Sequence, residues 1–163
     1  MAENPDSGAQ IARTRIALPG LAQTQALGAA IARRLRRGDA VALWGDLGAG
    51  KTTLARAILT ALGVTGEVPS PTFTIVQSYE TPGLLVSHYD LYRLKSPREM
   101  DELGLDDALD QGAVLVEWPV RAPEALPPDA LHVRLSLDDG ERSARITGPA
   151  RWQGLDAQGA GDV

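Results

Sequence analysis

The sequence of 163 residues contains no cysteine, which excludes disulfides and thiolate metal sites and suits a reducing compartment. Lysine is nearly missing: of 16 basic residues only Lys51 and Lys95 are lysines. Asparagine occurs once, as Asn4, so the Asn-Lys-x-Asp device that reads a guanine base is absent. Positive charge is outweighed, with a formal net charge of −5, and this argues against gripping DNA or RNA through an overall basic face. The one basic cluster, Arg33, Arg34, Arg36 and Arg37, falls at the end of an expected helix, where cations complement the helix dipole and are usually just solvated. No apolar run approaches membrane-spanning length and no signal-peptide pattern opens the chain, so a cytoplasmic protein without membrane contact is expected.

Against that background one octapeptide stands out: Gly45, Asp46, Leu47, Gly48, Ala49, Gly50, Lys51 and Thr52. It follows the apolar run Val41 to Trp44 and precedes Leu54, Ile58 and Leu62, which recur at helical spacing. Glycines let such a loop turn its backbone N–H groups inward around phosphate oxygens. Lys51 can reach the β- and γ-phosphates, and the Thr52 hydroxyl can ligate Mg²⁺ at a helix N-terminus whose dipole favours an anion. With 17 glycines in the chain, the composition makes a chance match roughly a 0.002 event. That one of only two lysines stands at this position suggests that a point charge on a flexible stem is wanted there.

The chain is expected to fold as one domain, residues 15–148, between poorly ordered tails at 1–14 and 149–163. Thr24 is a candidate N-cap for a helix carrying Leu27, Ile31 and Leu35, with Gly38 beyond its end. Residues 39–44 form a buried strand into the phosphate loop. Residues 72–79 and 84–88 flank Glu80-Thr81-Pro82-Gly83 as a hairpin. Ser96, Pro97 and Glu99 have the order of a capping box for a short helix through about Leu103. The run Ala113 to Val116 suits a strand buried on both faces, and residues 131–137 and 142–147 suit a closing hairpin. The sum is a three-layer α/β sandwich with a mixed, mostly parallel central sheet and a C-terminal hairpin, its ligand held beyond the carboxyl ends of the central strands.

Nucleotide hydrolysis needs carboxylates for Mg²⁺ and a means of orienting water. Glu117 directly follows four apolar residues, an odd place for a charge unless it faces the phosphate loop. Asp90, within His88-Tyr89-Asp90-Leu91-Tyr92-Arg93, is a second candidate ligand, the alternative being a structural strand end with a His–Asp–Arg network. Ser70, Pro71 and Thr72 form a stiffened hydroxyl-rich loop that can act as a switch sensing the γ-phosphate, or can be an ordinary loop-to-strand junction.

These four segments, in this order and spacing, resemble the TsaE (YjeE) family, the bacterial ATPase component of tRNA threonylcarbamoyladenosine biosynthesis. The resemblance spans about residues 18–147 and implies a P-loop NTPase fold. It implies that Lys51 binds phosphate, that Thr52 and Glu117 hold Mg²⁺, and that Asp90 belongs to the metal and catalytic cluster. Thr53, Trp118, Thr24 and Arg142 match positions at or near the ATP. It also implies partners: a TsaD–TsaB ligase complex, with tRNA met only through that complex, so that an acidic ATPase needs no nucleic-acid grip of its own. The rival is a small-molecule kinase using the same cradle. Such kinases usually carry a basic lid, and no Arg or Lys occurs between Leu103 and Glu117.

Overall fold

The computed structural model describes residues 10–46, 48–66, 75–96 and 98–157. In chain order the elements are β1 (Gln10–Ala17), α1 (Leu21–Arg34), β2 (Ala40–Trp44), α2 (Lys51–Ala61), β3 (Val76–Thr81), β4 (Leu84–Asp90), α3 (Glu99–Glu102), α4 (Leu105–Gln111), β5 (Gly112–Glu117), β6 (Leu131–Asp138) and β7 (Glu141–Pro149). Every residue of β5 is buried, as its unbroken apolar run requires, because β5 lies between β2 and β4 and pairs in parallel with both. The sheet runs β1-β7-β6-β2-β5-β4-β3. Its central four strands are parallel, and antiparallel pairings flank them on both sides.

Side chains alternate between the two sheet faces, so each strand feeds two cores. Val41, Leu43, Leu115, Val133 and Ile146 meet Leu27, Ile31, Leu54 and Ile58 of α1 and α2. On the opposite face Val114, Val116 and Tyr89 meet Leu91, Met100 and Leu105. This is the expected three-layer arrangement. Helices α1 and α2 approach closely at Gly28, where an added Cβ would lie 2.5 Å from the Ala57 Cβ. The turn between β6 and β7 has Asp139 and Gly140 both at positive φ, as a tight hairpin of this hand demands.

Several local expectations change. Thr24 is not an N-cap: α1 begins at Leu21 behind Gly20, and Thr24 is buried in the first turn. The helix stops at Arg34, short of Gly38, which makes the turn into β2 at φ +93°. Ser96 is not the N-cap of α3, which begins at Glu99 behind Arg98, although the Glu99 carboxylate does accept from the Ser96 and Lys95 amides as half of the expected box. Pro97 lies outside the described residues. Beyond Leu103, α4 adds a helix of seven residues too short to show a periodic apolar stripe. In the first hairpin β3 starts at Val76, Ile75 has φ +58°, and positions 72–74 lie outside the described residues.

The inner limits of both tails also move. β1 reaches back to Gln10 and pairs with β7 as far as Pro149. An edge strand of this kind is held largely by main-chain bonds, which leave little trace in composition. At the other end, Ala150–Trp152 forms a 3-10 turn that buries Trp152 and Leu155 in the core. Arg34 donates to the Gln153 carbonyl at 2.6 Å, and Arg151 pairs with Asp39. A single aromatic anchor carries no periodicity, so it escapes a search for repeating apolar positions. Residues 1–9 and 158–163 lie outside the described residues.

Trp152 is 1% exposed. Trp152→Ala is therefore expected to cost about 3–5 kcal/mol, read by urea denaturation. A loss below about 1 kcal/mol would show that the C-terminal segment is not part of the core. Tyr89 gives a pH-dependent check. Its hydroxyl donates to the Leu103 carbonyl at 2.8 Å, and burial, reinforced by the nearby Asp107 charge, pushes its pKa up from 10.0 to about 12. Between those values the unfolded chain has released a proton that the folded chain keeps, so stability falls as pH rises from 10 through 12, by up to about 3 kcal/mol. The Tyr89→Phe variant should lack that share of the alkaline loss in denaturation curves.

Candidate functional site

β2 delivers the chain to Gly45 at φ +146°, where a Cβ would lie 2.8 Å from the Leu135 carbonyl oxygen, so only glycine passes without displacement. Gly48 and Gly50 also have positive φ, and α2 opens on Lys51 immediately after Gly50. The loop thus bends back and ends at a helix N-terminus, the arrangement that aims backbone N–H groups and a dipole at an anion. Lys51 is 5% exposed. Its Nζ donates to the carbonyls of Gly45 at 2.6 Å and Asp46 at 2.9 Å and lies 4.1 Å from the centre of the Trp118 ring. Burial lowers its pKa below the usual 10.5, while the charges of Glu117, Asp90 and Asp46, in that order, oppose the shift.

The carboxylates arrive on two neighbouring parallel strands. In the β4–β5 register Asp90 stands opposite Glu117, and in the β2–β5 register Leu43 does, so both acids leave the sheet on the face that α2 covers. Glu117 is 2% exposed. It accepts from Thr52 Oγ1 at 2.9 and 3.1 Å, one contact for each carboxylate oxygen, and Oε2 also meets His88 Nε2 at 2.7 Å. His88 is fully buried and makes no bond through Nδ1, which identifies Nε2–H as the donor to the carboxylate. Asp90 Oδ1 caps the turn Leu91–Arg93 through the Tyr92 amide at 3.1 Å. Oxygen donors of this kind, one hydroxyl and two carboxylates, are those a hard divalent cation takes. Among the described residues no group of three or more His, Cys, Asp or Glu side chains forms a metal cage by itself.

A cleft of about 550 Å³ joins these groups. It is lined by Gly48, Ala49, Gly50, Lys51, Thr52 and Thr53 of the loop and by Thr24, Asp90, Glu117, Trp118 and Arg142. Gly45 and Asp46 form the base of the loop and hold Lys51 through their carbonyls. Arg142 reaches the Gly48 carbonyl from β7 at 3.3 Å. Trp118 has φ 60°, ψ 47°, a left-handed conformation that is rare for a bulky residue and persists only where its surroundings fix it. Pro119 follows it, and its ring packs on Tyr92 with centroids 4.8 Å apart.

The structure thus brings together Thr24, Asp90, Glu117, Trp118 and Arg142, five residues spread over 119 positions of sequence. Leu47, Ser70, Pro71 and Thr72 lie outside the described residues. Sequence reasoning did not assign His88 to Glu117 or Tyr92 to Trp118. The alternation of β4 puts His88 on the face of Asp90, two residues apart, but its contact with Glu117 follows only once the β4–β5 register is known.

Residues 18–146 match the family model described as threonylcarbamoyl adenosine biosynthesis protein TsaE. The chain is 41% identical over 126 residues to the tRNA threonylcarbamoyladenosine biosynthesis protein TsaE of Rickettsia felis, covering 76% of this chain and 74% of that protein. The Streptomyces coelicolor protein of the same name is 40% identical over 139 residues, covering 80% of this chain and 94% of the other. In structure the chain is similar to Bacillus subtilis YdiB, with a TM-score of 0.72 and 33% identity over 85% of this chain and 87% of that one.

Removing one partner of a buried pair strands the other. His88→Ala should therefore lower stability by about 3–5 kcal/mol in urea denaturation. His88→Gln, whose amide N–H can reach the same carboxylate, should recover most of that loss. Equal stability of the alanine and wild-type proteins would show that His88 does not support Glu117.

Proposed function

This chain belongs to the TsaE family of threonylcarbamoyl adenosine biosynthesis proteins, and from that premise we propose that it is a magnesium-dependent ATPase serving this tRNA modification together with a TsaD–TsaB-type ligase complex in the cytoplasm. The observation that carries the reading is the contact between Thr52 at the start of α2 and the buried Glu117 at the end of β5, with Lys51 beside it. A hydroxyl and an acid from the two sides of a phosphate loop form the donor set that a nucleotide-bound Mg²⁺ requires, because this ion keeps waters and phosphate oxygens as its remaining ligands.

In this reading the backbone amides from Gly48 to Thr52 and the Lys51 ammonium hold the β- and γ-phosphates of ATP. The Lys51 N–H groups that now meet the Gly45 and Asp46 carbonyls are the ones that turn to phosphate. Thr52 and Glu117, with Asp90 on the adjacent strand, would hold Mg²⁺, whose charge would offset that of the phosphates; the reaction itself is displacement of ADP from the γ-phosphorus by water. Asp90 and Glu117 are the acids that orient the water and accept its proton. Trp118, fixed by Pro119 and Tyr92, shields the phosphates from bulk solvent, where electrostatic contacts would weaken. Thr24 and Arg142 flank the nucleotide. The segment Ser70, Pro71 and Thr72 takes the switch role on its sequence and family resemblance.

Lys51→Ala removes a charge-assisted contact of about 1.5–3 kcal/mol, so affinity for a fluorescent ATP analogue should fall by roughly 10- to 150-fold. Glu117→Ala should keep binding within a few-fold and lose turnover, followed as phosphate release. Addition of the ligase complex should raise the wild-type rate. Normal turnover without Glu117 would overturn the catalytic assignment, and ADP release that depends on an added acceptor and leaves that acceptor phosphorylated would replace the ATPase with a kinase.

A further inference from the structure

The sheet face beyond β2, on the side away from α1 and α2, carries a charge pattern that the nucleotide site does not use. Register places Arg15 of β1 opposite Arg145 of β7, and Arg145 opposite Arg134 of β6. The row continues to Trp44 of β2. All three arginines are exposed, and the Arg134 guanidinium lies 4.8 Å from the centre of the Trp44 ring. Neighbouring strands stand about 4.8 Å apart, so the three arginines spring from adjacent positions in one row. Like charges directly opposite in a sheet destabilise it. Among the described residues none of the three makes an ion pair that would offset this cost. Along β6 and β7 on the same face the paired acids Asp138 and Glu141 lie four residues away, about 13 Å at the rise of a strand.

We propose that this arginine row, closed by Trp44, is a binding surface for the phosphate backbone of RNA. Repeated guanidiniums at short spacing match a chain of phosphates, each able to take paired N–H donors. Trp44 adds an aromatic ring of the kind on which bases stack. A protein partner would call for an apolar patch at the centre of the contact. On β6 and β7 the flanking positions are instead polar, with His132 and Thr147 in the next row on one side and Ser136 and Ser143 on the other, and these rows continue to the small Ala42 of β2 and Ala17 of β1. The exposed large apolar residues Leu21, Tyr92, Val120 and Leu137 are not in these rows. The negative total charge therefore conceals a local positive strip, and an acidic chain has a grip on nucleic acid after all. The row also ends at the residue before Gly45, so RNA on this face abuts the first residue of the phosphate loop. The inference does not depend on ATP hydrolysis.

The test is fluorescence anisotropy of the full chain with a labelled transfer RNA transcript across a salt series. At low salt the wild type should bind in the weak range of backbone contacts, with affinity falling steeply as salt rises. The triple variant R15Q/R134Q/R145Q should bind at least ten-fold more weakly, and the slope of log affinity against log salt should flatten by about 2 to 3, close to one for each phosphate that is no longer neutralised. Replacing Arg36 and Arg37 after α1 should leave both unchanged. Because the row costs stability, the triple variant should melt no lower than the wild type and should keep its basal nucleotide turnover. Unchanged affinity and slope in the triple variant would overturn the proposal. Equal displacement by polyglutamate and by unlabelled RNA would also overturn it, in favour of an acidic protein surface.

Discussion

The site depends on one buried carboxylate. Glu117 is the last residue of a strand flanked on both sides by parallel neighbours, so its backbone is fixed by β2 and β4 at once. A charge at such a position is stable only when its oxygens are bonded. Thr52 contacts both of them, and His88 takes a second bond to Oε2 from beneath. These contacts tie the end of β5 to the start of α2 and thereby set the width of the cleft between the phosphate loop and the sheet. A small shift of either element would leave a buried acid unpartnered. The requirement to satisfy Glu117 therefore also specifies the geometry.

Lys51 presents the opposite problem in the same few ångströms. Its ammonium is buried, which disfavours the charged form, yet three acids lie near enough to oppose that effect. The Gly45 and Asp46 carbonyls and the Trp118 ring occupy its surroundings. The ring is held there by a backbone conformation that costs about 1–3 kcal/mol for a residue of this size. A strained tryptophan beside a half-compensated lysine is local structure that folding alone gives no reason to keep. The cost lies in the wall of the cleft beside Lys51 and Glu117, and the unstrained central strands carry it.

What could be read from the sequence followed physical rules of short range. The phosphate loop was legible because every residue in it has a mechanical duty, and β5 because four apolar residues ending in an acid describe a doubly covered strand. Glu117 and Asp90 were legible as acids at strand ends, whereas Thr24, Trp118 and Arg142 joined them through family resemblance, since no local rule joins positions that far apart. β1 and the Trp152 anchor went unseen because an edge strand and a single packed ring leave no periodic trace. Thr24 looked like a cap since threonine prefers that position, but burial in the cleft wall explains it better. The pairing of His88 with Glu117 needed the β4–β5 register, which no local pattern in the sequence specifies.

Composition misleads in a related way about charge. A net charge is a sum over the whole surface, while binding reads the field a few ångströms from one face, because charges beyond about 10 Å are largely screened at ordinary ionic strength. In a sheet the alternation of side chains sorts charges by face, and register sorts them by row. Arg15, Arg134 and Arg145 are far apart in sequence and belong to no cluster that a scan along the chain would notice. The visible cluster, in the last turn of α1 and just beyond it, consists of arginines at a helix end, where the dipole already accounts for them. In the row across β1, β7 and β6 only Arg134 has a local partner, the Trp44 ring, and the opposed pairs Arg15–Arg145 and Arg145–Arg134 work against the strands that carry them. A feature that folding disfavours and that the dipole of no helix explains points to a ligand, and three aligned arginines beside an indole match the chemistry of a phosphate chain.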